Sequence, residues 1–290
     1  MLVLSDLLIK CDLSPADVNV VRHRTEIPLR SRFPWIASEK PDLFEYYQST
    51  QSPTRERMLE RRSYLASFVG MENGETIFVG VYRKRGARRV SKSEFEADER
   101  FQRLSALGCL SYPEEERLFF EFEELEDFRI YKGRLFIGWG EGHRSFIQVA
   151  DHRKFPITRL SVENELVAEL SHPSELLLSV ADIRELPAKW RDRISQWRGI
   201  YLITDISDGA RYVGSAYGVD NLWQRWSEYS ISGHGGDALL KTRDAANFRF
   251  SVLQLLSPTE EIENVLAMEA GWKRRLLTHR ADWGFGLNAN

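Results

Sequence analysis

Toward the C-terminus the hydrophobic and polar positions alternate in a way that predicts a small antiparallel sheet with helices around it. Residues 199–204 and 211–214 are short runs rich in Ile, Val and Tyr. Asp205-Ile206-Ser207-Asp208-Gly209 separates them, so the pair reads as a β-hairpin with glycine in its loop. Phe248, Phe250 and Val252 alternate with Arg249 and Ser251, which gives a third strand. Residues 222–229 read as a helix that Asp220-Asn221 can cap, with Arg225 and Tyr229 on one face. Ser257-Pro258-Thr259-Glu260 has the form of a capping box with proline at the first helical position. A last helix should open there, its apolar stripe running through Ile262, Val265, Leu266 and Leu276. Ahead of the hairpin, Pro187 marks a helix start, and Trp190, Ile194 and Trp197 follow at helical spacing.

Upstream the pattern is richer in strands. Residues 77–82, 118–123, 135–139 and 146–149 are short apolar or alternating runs, while 4–9, 53–62 and 93–107 read as helix or loop. The expected fold class is therefore α+β in two domains. Residues 1–186 would form a β-rich, barrel-like domain, and 187–290 a small antiparallel sheet flanked by helices, entered through a linker helix.

Glu269 interrupts the apolar stripe of the last helix, one turn beyond Val265. A carboxylate there should be partly buried, and burial without a compensating cation or donors costs several kcal/mol, on the order of a whole domain's margin of stability. A bound divalent metal is one solution. An ion pair with Lys273 or a neighbouring arginine is the other.

Composition narrows the function classes. The chain has 290 residues, 42% hydrophobic and 29% charged, as ordinary globular proteins do. Cys11 and Cys109 are its only cysteines, which excludes a disulfide scaffold and a cysteine-based zinc site and fits a reducing cytoplasm. Residues 1–9 are too short and contain Asp6, so they read as neither a signal peptide nor a membrane span. Net charge is −3, and from Gln196 onward ten Lys/Arg stand against eleven Asp/Glu, so any attraction to phosphate must be local. Arg83, Lys84, Arg85, Arg88, Arg89 and Lys92 form the best such cluster, read as a loop that follows a strand and tracks a nucleic-acid backbone.

Gly199-Ile200-Tyr201, Tyr212-Val213-Gly214, Arg225, Tyr229, Glu269 and Gly286-Leu287-Asn288 occur in an order that resembles the GIY-YIG nuclease domain. The resemblance covers about a third of the chain, residues 199–290, and implies phosphodiester hydrolysis. By it, Glu269 would hold one Mg²⁺ or Mn²⁺, Arg225 would grip the scissile phosphate, and Tyr201 or Tyr212 would help deprotonate the attacking water. Tyr229 and Asn288 complete the implied catalytic set, with Asn290 a rival for the asparagine. Several family members carry lysine just after the second motif, where this chain has Ser215; His234, in Gly233-His234-Gly235-Gly236, or Lys241 could supply the missing cation.

Residues 64–70 and 78–82 loosely resemble the small barrels of the PUA and EVE type, some of which receive a flipped base. Trp35, Phe44, Tyr46, Tyr47, Gln48, Tyr64 and Trp139 could wall such a pocket, although aromatics of this kind more often build a core. The implied partner is double-stranded DNA. Fusion of a base reader to a nuclease would mean restriction of foreign DNA, including DNA with modified cytosine. The alternatives are a structure-specific repair or recombination nuclease and a catalytically silent nucleic-acid-binding protein. One active site per chain requires a homodimer or two successive nicks for a double-strand break.

Overall fold

The computed structural model describes residues 2–23, 32–71, 75–110, 116–140, 146–170 and 172–289, so Asn290 lies outside the described residues. The chain divides into two compact units, Met1–Ala168 and Glu169–Asn290. That division precedes the expected boundary at 186/187, because the segment between them joins the second unit's sheet and helices.

In the first unit the elements run α1 (Leu4–Lys10), β1 (Val18–His23), α2 (Arg32–Glu39), α3 (Pro41–Ser49), α4 (Pro53–Glu60), β2 (Tyr64–Gly70), β3 (Thr76–Val90), α5 (Lys92–Ala97), α6 (Glu99–Ala106), β4 (Arg117–Glu124), β5 (Leu135–Ile137), β6 (Ile147–Val149) and β7 (Ile157–Leu160). They build a curled sheet of order β6-β1-β2-β3-β5-β7, with β4 paired to β3. The four strands expected upstream are all present. Strand β1 is not in the sequence reading: Asn19, Arg22 and His23 break its apolar pattern, yet all six of its residues are buried beside the parallel strand β2. Strand β3 continues through Val90, so the basic run from Arg83 to Arg89 lies on a strand paired with β4 and not on a loop.

Of the side chains considered for a base pocket most are buried, and Tyr47 and Tyr64 are half-buried. Trp35, Phe44, Tyr46, Gln48 and Trp139 are buried. The Phe33 and Tyr47 rings lie 4.4 Å apart, and His23 sits 5.3 Å from Phe44 and 5.4 Å from Tyr47. At such spacings these four rings occupy one another's contact surface. Burial drives the His23 imidazole down to about 3, so it stays neutral within this cluster.

The second unit contains β8 (Leu177–Ser179), α7 (Val180–Arg184), α8 (Ala188–Ser195), β9 (Arg198–Asp205), β10 (Arg211–Ala216), α9 (Asn221–Ser232), β11 (Phe248–Leu256), α10 (Ile262–Arg275) and α11 (Arg280–Trp283). Its antiparallel sheet has the order β10-β9-β11-β8. The predicted hairpin is β9–β10, in which Tyr201 lies opposite Gly214 and Tyr212 opposite Ile203. Alternation along the strands sorts the two faces. Tyr201 shares its face with Phe250, which packs against Trp226 and Tyr229 of α9. Ile200 and Val213 pack with Val265 of α10, joined by Met268, Trp272 and Leu276.

Two helix starts differ from the sequence pattern. Asp220 precedes α9 without a side-chain cap, while the Asn221 amide donates to the Ser195 carbonyl and ties α9 to the end of α8. Helix α10 begins at Ile262, because Ser257 draws Thr259 and Glu260 into a closed turn and Arg198 holds the Glu260 carbonyl. Packing on the sheet buries a stripe through Val265, Met268, Trp272 and Leu276. Val265 is fully buried, but Ile262 and Leu266 are 43% and 46% exposed.

Candidate active site

Both glycine motifs act through close packing. A side chain at Gly199 would press on the Gln254 carbonyl of β11, and one at Gly214 would enter the space of the Tyr201 phenol. Glycine at 214 therefore lets the Tyr201 ring cross to α9, where its hydroxyl lies 3.1 Å from that of Tyr229. The Tyr229 ring also meets Tyr212 edge-on, with centroids 6.4 Å apart. Arg225, one turn earlier on α9, donates to the Tyr229 hydroxyl at 3.4 Å and lies 5.3 Å over its ring. Its other terminal nitrogen pairs with Glu228.

Glu269 reaches the same region from the opposite face of the sheet. Ser215 of β10 donates to Glu269 Oε2, and Lys273 Nζ lies 2.9 Å from Oε1. The ion pair weighed for this carboxylate is thus present, and the residue that follows the second motif touches the carboxylate directly. Tyr201, Tyr212, Ser215, Tyr217, Gly218, Gln224, Arg225, Glu228 and Glu269 line one cleft of about 350 Å³. Because β10 is an edge strand, groups from both sheet faces meet around it.

Burial controls the protonation of the three phenols. Desolvation pushes Tyr201 and Tyr229 far above the ordinary phenol range; charge on Tyr212 would add to it at Tyr201, and charge on Tyr201 and Tyr212 would add to it at Tyr229, while the hydrogen bond with Tyr229 offsets part of the rise at Tyr201. Tyr212 is raised too, chiefly by burial, but a hydrogen bond with Tyr229 offsets part of the effect. All three are neutral phenols at neutral pH, suited to donate or relay a proton.

The remaining sequence candidates fall elsewhere. Asn288 is buried, and both ends of its amide are engaged by one residue: Oδ1 accepts from Val213 N at 3.0 Å, and Nδ2 donates to Val213 O at 2.8 Å. It thereby pairs the free edge of β10 as a neighbouring strand would, and it does not line the cleft. His234 Nδ1 accepts from Gly236 N at 2.9 Å, while the loop passes beside Tyr229 at Gly235; neither His234 nor the exposed Lys241 lines the cleft. The clusters on β3 are largely engaged: Lys84 donates to the Leu59 and Glu60 carbonyls at the end of α4, Arg83 stacks on Tyr64, Arg85 pairs with Glu123 and Arg88 with Glu94. Sequence pattern did not single out Ser215, Gln224 or Glu228 as cleft residues. The i,i+3 spacing of Arg225 and Glu228 was the available signal for one of them.

Replacing Asn288 with Ala would leave the buried Val213 N–H and C=O without partners. The expected loss is about 3 kcal/mol, read as an earlier urea midpoint, since each unsatisfied buried group costs roughly 1–3 kcal/mol. Activity measured well below the melting temperature should fall less than for a change in the cleft itself. A variant as stable as the parent would contradict the strand-edge role.

Residues 198–281 match the family described as GIY-YIG catalytic domain. No curated protein matches the chain. Among solved structures, one titled "Structure of the Catalytic Domain of Homing Endonuclease I-TevI" is similar at 23% identity with a TM-score of 0.26, over 32% of this chain and 98% of that one. Residues 198–281 carry a nuclease domain, which supports a DNA endonuclease. No helix among the described residues is long and apolar enough to cross a membrane.

Proposed function

We propose, from a chain that carries a GIY-YIG catalytic domain at residues 198–281, that the protein is a divalent-metal-dependent DNA endonuclease of the restriction type. The observation that supports it is the convergence of Tyr201, Tyr212, Arg225 and Glu269 on one cleft. Among the described residues no three His, Cys, Asp or Glu side chains gather as a metal cage. Mg²⁺ does not need one: it keeps several waters and is commonly held by one or two carboxylates, so Glu269 at the cleft wall fits it. When bound, the ion would neutralise charge on the phosphate and on the leaving oxygen.

The chain's own groups do the rest. Arg225 presents a planar fork to the phosphate oxygens and cannot lose its charge. Tyr229 and Glu228 hold that fork in place. Tyr212 relays the proton of the attacking water, because it is the least buried of the three phenols. Water adds across the phosphodiester, and the leaving oxygen gains a proton. The unit Met1–Ala168 serves DNA recognition through its surface, where Arg88 and Arg89 are exposed on β3; Lys241 adds a cation in the nuclease unit.

The test is cleavage by the full chain of three matched DNAs: unmodified, carrying modified cytosine, and branched. Each is run with Mg²⁺ or with EDTA. Discrete fragments in Mg²⁺ and none in EDTA support the metal-dependent reading, and the linear DNA that is cut reveals whether modification is required. Cutting confined to branched DNA would transfer the protein to repair or recombination, and undiminished cutting in EDTA would remove the metal from the reading.

A further inference from the structure

We propose that Lys273 is a resident counter-ion for Glu269, which it occupies until a divalent cation displaces it, and that it thereby sets the cation concentration at which the cleft is loaded. The inference rests on Glu269 being the cation's ligand.

The pair is not an ordinary solvated surface contact. Lys273 Nζ lies 2.9 Å from Glu269 Oε1, and the two side chains are only 12% and 13% exposed. With Ser215 on Oε2, each carboxylate oxygen already carries a donor and the carboxylate's charge is balanced internally. The same holds across the cleft, where Arg225 is paired with Glu228. The two cationic groups flanking the reaction space are therefore both held by acidic partners from their own helices. This agrees with the near-neutral charge of the domain.

Lys273 holds Oε1 and Ser215 holds Oε2, so a divalent ion that takes Oε1 must take the place of the ammonium there. Like charges a few ångströms apart in a half-shielded site repel strongly. Lys273 can leave, because its flexible stem carries a compact charge to another position. It also sits in the last turn of α10, where the helix dipole favours a cation, so its charge is not stranded once displaced. Ser215 is neutral and stays, donating to the carboxylate in either state and orienting it. Loading the cleft thus costs the Lys273 pair, and cation affinity is lower than the carboxylate alone would give.

The experiment is Mn²⁺ binding to the full chain without DNA, followed by calorimetry and by the loss of the free-ion EPR signal. It compares the parent with Lys273→Met, Lys273→Arg and Glu269→Gln, each shown by thermal melting to be folded. Lys273→Met keeps the stem and removes the charge, so it should bind Mn²⁺ about fivefold to tenfold more tightly, the effect of removing one competing ion pair. Lys273→Arg should stay close to the parent, and Glu269→Gln should lose binding. Unchanged or weaker binding by Lys273→Met, with binding still lost in Glu269→Gln, would overturn the proposal and leave Glu269 as the ligand. Parent-like binding by Glu269→Gln would overturn both.

Discussion

Glu269→Gln is expected to reduce cleavage by at least about 10³-fold, because removing the sole carboxylate proposed for the ion forfeits several kcal/mol of transition-state stabilisation. The change is nearly isosteric. Ser215 can still donate to the amide oxygen, but the largely buried Lys273 ammonium loses its counter-charge, so stability should fall by about 3 kcal/mol, which still leaves a folded protein. Binding of DNA should be largely retained, since recognition is assigned to other surfaces. Single-turnover cleavage, filter binding and a urea melt on one preparation separate these three quantities. Magnesium-dependent cleavage at more than about a tenth of the parent rate would remove Glu269 from the metal assignment.

Arg225→Lys should lower kcat by roughly 10²-fold, a loss typical of removing one preorganised donor to a developing anion. The substitution keeps the positive charge, so a purely electrostatic role would be largely spared. What it removes is the fork: one arm now donates to Tyr229 while the other pairs with Glu228, and an ammonium cannot make both contacts in that plane. The Arg225 side chain is 30% exposed, so the fold should tolerate lysine. Apparent affinity for DNA should change little, because the loss falls on the transition state. A variant with parent-like kcat and weakened binding would make Arg225 a docking residue.

The candidate site was unusually legible from the chain because its residues sit at fixed offsets on short regular elements. The hairpin follows from two β-rich runs with a glycine-containing loop, and Arg225 and Tyr229 share a face by helical spacing alone. Glu269 was visible as a charge on an apolar stripe. The roles were less legible. Asn288 resembles a cleft residue in sequence, yet its amide binds the backbone of Val213, a contact between residues remote in the chain. In the first unit, β1 was hidden because Asn19, Arg22 and His23 look like surface positions. Their burial beside β2 depends on a parallel pairing with residues far downstream.

Sequence by itself determined the hairpin that carries Tyr201 and Tyr212 on neighbouring strands, the helices and third strand that follow it, and the set of side chains able to meet phosphate. These follow from periodicities of two and 3.6 residues, which the backbone imposes within a few residues. Tertiary structure alone decided three things: which stripe of α10 is buried, the convergence of groups from both sheet faces around the edge strand β10, and the pairing of Glu269 with Lys273 and Arg225 with Glu228. Local spacing allows several ion pairs for each charge, and only the packed environment selects among them, through the distance and the desolvation it sets.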